Sequence, residues 1–144
     1  MAQYRLFAGD DGRTHLEPID LHDLPFENGP GDFKGIGGSV LGDASRVMVM
    51  QLKPGAHTPP HRAVPSLAVP LEGEVVVEAS DGESVLLAPG DVVRVETTGR
   101  GGWRLGNPGK SDALLALVQM PPPPSGEQTS GDQQSGEQTS GEQT

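Results

Sequence analysis

Turn signals recur along this chain at short intervals, and they leave room between them only for strands. Pro54-Gly55, Gly73, Asp81-Gly82, Pro89-Gly90-Asp91 and Asn107-Pro108-Gly109 divide the second half of the sequence into short apolar runs. The runs are RVMVMQL at 46–52, EVVVEA at 74–79, ESVLLA at 83–88, 92–96, 103–105 and ALLALVQM at 113–120. Val, Leu and Met dominate them, and a turn every 8–12 residues or so predicts an antiparallel sandwich or barrel. Ser80-Asp81-Gly82 between two apolar runs is the strongest hairpin signal, because Asp-Gly adopts the turn conformation readily. The count of 21 Gly and 14 Pro fits tight turns rather than helices. With aromatics at 3% of residues, the core must rest on aliphatic side chains and methionine.

In 46–52, Met48 and Met50 share one face and Val47 and Val49 the other, which predicts a strand buried on both sides. The run 113–120 fits helix or strand by periodicity; its length and its neighbours favour a buried strand. Residues 36–41 are Gly-rich and predict a bulge or close backbone approach. Residues 1–32 lack a clean period beyond a weak alternation from Tyr4 to Phe7, which predicts an edge strand. They predict an irregular segment draped on the core, with His15 and His22 as surface imidazoles. Residues 33–120 hold the β pattern of the expected sandwich or barrel. Residues 121–144, four prolines followed by SGEQT-type pentads, predict a stiff spacer and a disordered tail.

The net charge is −10, of which Glu127, Asp132, Glu137 and Glu142 contribute −4, so the body carries −6. That balance disfavours nucleic acid and anionic membrane as partners. There is no cysteine, hence no disulfide framework and no thiol nucleophile. No apolar run approaches a membrane span and no signal peptide heads the sequence, so a cytoplasmic location is expected. Gly35-Ile36-Gly37-Gly38 lacks the spacing of a phosphate loop, and no nucleophile elbow occurs.

Chemistry centres on 53–73, KPGAHTPPHRAVPSLAVPLEG, which holds His57 and His61. Gly55, five residues and then His61, closed by Gly73 in Leu71-Glu72-Gly73-Glu74, resembles the first motif of the cupin superfamily. Asp81-Gly82, Ala88-Pro89-Gly90-Asp91 and Asn107 resemble the second, and Thr97-Thr98-Gly99-Arg100-Gly101 resembles a loop of one small branch. The resemblance covers 33–120 and implies an all-β fold, the antiparallel double-stranded β-helix or jelly-roll barrel. In the family, two histidines and an acid of the first motif and a histidine of the second hold a metal. Here Ala63 stands at the second histidine, Ser66 or Leu67 at the acid, and Trp103 or Gly102 at the last histidine. Only His61 remains. His57 could add a ligand only if Pro59 and Pro60 bend the chain, since positions i and i+4 of a straight strand lie about 13 Å apart at ~3.3 Å per residue.

The expectation is therefore no metal and no cofactor, with a cup lined by His57, His61, Ala63, Ser66 or Leu67, and Trp103. Either Met48 and Met50 or Val47, Val49 and Gln51 would complete it. Such a cup suits a small, largely apolar metabolite. His61 is the candidate general acid and base. The resemblance implies an isomerase, cyclase or similar tailoring enzyme of biosynthesis, and a homodimer. A non-catalytic binding or dimeric interaction module, or a metal-dependent oxygenase or isomerase, are the alternatives.

Overall fold

A computed structural model of the chain describes residues 1–29, 35–62, 64–96 and 101–121. Ala63, most of the Thr97–Gly101 loop and the tail from 122 on lie outside the described residues, so the expectations placed on them stand apart. Eleven strands follow in chain order among the described residues: β1 Gln3–Ala8, β2 Thr14–Pro18, β3 Glu27–Asn28, β4 Gly37–Gly38, β5 Arg46–Leu52, β6 Ser66–Glu72, β7 Val75–Ala79, β8 Ser84–Leu87, β9 Val92–Val95, β10 Trp103–Gly106 and β11 Ala113–Gln119. A 3-10 turn, Leu21–Asp23, is capped by Asp20.

The larger sheet has the order β2-β1-β9-β6-β11-β5, and the smaller has β10-β7-β8. His57 and His61 bridge to Gly106 and Trp103, so the segment between them adds a fourth strand beside β10. Counting barrel strands from β5, with that segment second, the two sheets read 1-8-3-6 and 2-7-4-5. This interleaving of two Greek keys is the jelly roll.

The turns do what their residues dictate. Gly55 and Gly90 follow prolines and take φ of +79° and +91°, the type II pattern, with the Ala56 and Asp91 amides closing onto Lys53 and Ala88 carbonyls. Ala79 and Glu83 close the β7–β8 hairpin around 80–82, with Gly82 at φ +97°.

Period-two alternation then sorts side chains. Ser66, Ala68 and Pro70 of β6, Ala113, Leu115 and Leu117 of β11, Val75 and Val77 of β7, and Trp103 and Leu105 of β10 are buried between the sheets. Three expectations need correction. β1 is no edge strand: it sits between β2 and β9, parallel to β9. The N-terminal stretch is not irregular throughout, since Thr14–Pro18 pairs with β1. And β5 is not buried on both sides, because it is the sheet's last strand and Val47 and Val49 are 68% and 64% exposed.

Candidate functional site

The inner face of β5 presents Met48 and Met50, paired across β11 with Leu117 and Leu115 and half-buried against the core. The methionine alternative for this strand is therefore the one that faces inward; Val47 and Val49 face out. On β6 the ambiguity between Ser66 and Leu67 resolves the same way. Ser66 is buried, pairs with Val95, and donates its hydroxyl to the Val64 carbonyl at 2.7 Å. Leu67 pairs with Arg94 on the outer face and does not line the interior.

His61 faces inward. It forms a two-hydrogen-bond pair with Trp103 (N–H to carbonyl, 3.0 and 2.9 Å), and directly paired residues share a face. The two rings lie 5.5 Å apart between centroids, tilted by 38°. His61 Nδ1 lies 3.0 Å from the Pro59 carbonyl. A carbonyl only accepts, so Nδ1 carries the proton there, and in the neutral ring Nε2 keeps its lone pair.

His57 does not join it. Between His57 and His61 lie three residues; between their partners Trp103 and Gly106 lie only two. The surplus residue falls at Pro59-Pro60, which have no N–H to donate, and Thr58 Oγ1 receives the Leu105 amide at 3.0 Å in its own strand's stead. The bulge turns His57 to the outer face. There the Arg104 guanidinium donates to His57 Nδ1 at 3.1 Å and lies 3.4 Å from Glu78. The expectation that His57 lines the cup is thus corrected: positions four apart share a side only in a regular strand.

The neighbourhood of Trp103 is set by residues that sequence reasoning passed over. Gly102 has φ +75°, and a Cβ there would stand 2.9 Å from the His61 carbonyl oxygen. A histidine at that position would not fit the pairing, so Trp103 holds the inward place. Thr14 Oγ1 donates to the Gly102 carbonyl at 2.7 Å and receives the Ser80 amide at 2.7 Å, tying β2, the β7–β8 turn and the start of β10 together. Asn107, 3% exposed, ends β10. Its Nδ2 donates to the Leu52 and Ser111 carbonyls, and its Oδ1 receives the Gly109 amide. The pattern Asn-Pro-Gly marked the turn but not these partners.

His15 is likewise no free surface imidazole. Its Nε2 lies 2.9 Å from Asp11 and its Nδ1 2.8 Å from Asp81. Hydrogen bonding to Asp11 raises its pKa above the ordinary value, with Asp81 adding to it, and the same bond lowers that of Asp11. His22 is exposed as expected.

A metal of the kind the resemblance implies does not fit this donor set. Among the described residues no three His, Cys, Asp or Glu side chains are placed to share an ion. The inward positions hold one imidazole, one hydroxyl, an indole and thioethers, whereas a divalent catalytic metal wants about three imidazole or carboxylate ligands. Among the described residues no helix is long and apolar enough to cross a membrane.

No family model and no curated protein matches the sequence. Solved structures do. The protein TT1209 from Thermus thermophilus is 30% identical, with 56% of this chain and 78% of that one covered and a TM-score of 0.47. A predicted oxalate decarboxylase from Thermotoga maritima is 25% identical over 54% and 67%, TM-score 0.46. A cupin domain from Bordetella pertussis Tohama I is 24% identical over 56% and 88%, TM-score 0.39.

Proposed function

We propose that the chain is a member of the cupin superfamily, a reading that its strand order and motif residues support, and that it is a metal-independent member acting on a small, largely apolar metabolite. The reaction is of the isomerase or cyclase type, run inside the barrel in the cytoplasm, with His61 carrying the proton. The observation that supports this most is the orientation of His61. Its ring faces inward beside Trp103, its Nδ1 is engaged by Pro59, and Nε2 is left as a base. Met48, Met50 and Trp103 supply apolar wall, and Ser66 a hydroxyl.

The test is to identify by mass spectrometry the molecule that co-purifies with the protein and to assay its conversion. We expect wild type to convert it and His61→Ala to be slower by about 10²–10⁴-fold, the usual worth of a general acid or base. Full retention of activity removes the proton-carrier role. Stoichiometric iron, zinc, nickel or manganese in tag-free protein overturns metal independence. One observation favours a second reading, a binding module without turnover: Trp103 is only 2% exposed and is the bulkiest of the fully buried side chains among the described residues. Binding of the co-purified molecule with no conversion would select it. We further propose a homodimer, supported by the exposed valines on the edge strand β5.

A further inference from the structure

The indole nitrogen of Trp103 is a buried donor with no hydrogen-bond partner, and it is the one such side-chain atom among the described residues. Buried polar groups are paired in the great majority of cases, so an orphan inside a proposed ligand chamber calls for an explanation. The indole that carries this donor packs beside the His61 ring, 5.5 Å between ring centroids, and with His61 Nδ1 donating to the Pro59 carbonyl the neutral ring keeps a lone pair on Nε2. A hydrogen-bond donor and a base on adjoining inward side chains are the two groups that proton abstraction next to a carbonyl needs.

We infer that the Trp103 N–H is the receptor for a carbonyl oxygen, and that the metabolite is a ketone or aldehyde bearing an α-hydrogen. This deepens the function proposed above and rests on it. In the step, the α C–H bond breaks and its proton passes to His61 Nε2. The C–H electron pair becomes the new C=C bond, and the carbonyl π pair moves onto oxygen, where the indole N–H donates to the enolate. Where the substrate carries a β,γ double bond the enolate is a dienolate, and the imidazolium then returns the proton to its γ-carbon, leaving the C=C conjugated with the carbonyl. The net change is an isomerisation, with no oxidant or reductant consumed.

The chain has a single tryptophan, so ¹⁵N-labelled full-length protein gives one indole N–H signal. The probes are cyclohexanone and methylenecyclohexane, which share a shape and differ in the oxygen. Cyclohexanone should move the indole proton downfield in a saturable way, and methylenecyclohexane should not. In D₂O, wild type should speed deuterium uptake at the ketone's α-carbons over buffer. His61→Ala should abolish that acceleration, and Trp103→Phe should reduce it by about 10²-fold, the usual effect of losing one oxyanion donor. Binding of both probes, seen at the Met48 and Met50 methyls, with the indole proton unmoved overturns this inference and leaves the barrel-ligand reading intact. An indole proton already at a hydrogen-bonded shift in the free protein overturns it too. Binding of neither probe overturns both.

Discussion

Asn107 shows how much one side chain can hold in a fold of short strands. Its amide closes the turn after β10 and reaches the Leu52 carbonyl at the end of β5. Asn107→Ala leaves those backbone groups buried and unpaired, and should cost about 2–4 kcal/mol, read as a lower urea midpoint with unchanged slope. His15 carries a pH signature. Its folded pKa lies above the unfolded value of about 6.5, so its contribution is complete below that value and is lost as pH rises through the folded pKa. Asp11 is shifted down, so its share is present above its unfolded pKa and is lost as pH falls through the folded one. The stability gap between wild type and His15→Gln should therefore be widest in mildly acid solution, and urea titrations across pH check it. Neither residue's role was legible beforehand. Leu52 and Asp81 are remote in sequence, and nothing local says that folding brings them to Asn107 and His15. The opposite holds for Gly55, Gly82 and Gly90, where the residue type alone dictates the backbone.

The strands themselves were the most legible level, because each is an apolar run closed by a turn. What stayed hidden was which face each presents. Met48 and Val49 are equally apolar, and only the register with β11, which sets the methionines opposite the buried Leu117 and Leu115, decides that the valines look outward. An apolar outer face on an edge strand also reads as a surface awaiting a partner. Val49 pairs with Ala116 and Val47 with Val118, both on that outer face, which makes the patch continuous. If this face joins two copies, Val49→Lys should turn a dimer into a monomer in sedimentation equilibrium while leaving the melting transition of the monomer in place. The stretch from His57 to His61 taught the reverse lesson about period two: a bulge at Pro59-Pro60 separates two histidines that a regular strand would set side by side. Two adjacent prolines were the available hint, since neither can take part as a ladder donor.

At the scale of the molecule, the N-terminal segment proved to belong to the sheet. The Ala2 amide donates to Asp91, the Val92 amide donates to the Ala2 carbonyl, and β1 runs parallel to β9. Its apolar residues are diluted by Arg5, Glu17 and Pro18, so no period betrayed it. Deleting residues 1–18 would strip β9 of one of its two partners and bare Val93 and Val95, which lie beside Tyr4 and Leu6 of β1. We expect such a protein to bind a hydrophobic dye and to precipitate at concentrations where the whole chain stays clear. The order of synthesis adds a further consequence. β11 separates β5 from β6 and is made after every other described strand. Until it exists, those two have no common neighbour, and each shows a bare ladder to any other chain nearby. A chain that ends before 113–119 therefore leaves β5 and β6 without the strand they share, and should be a sticky fragment rather than a smaller working protein.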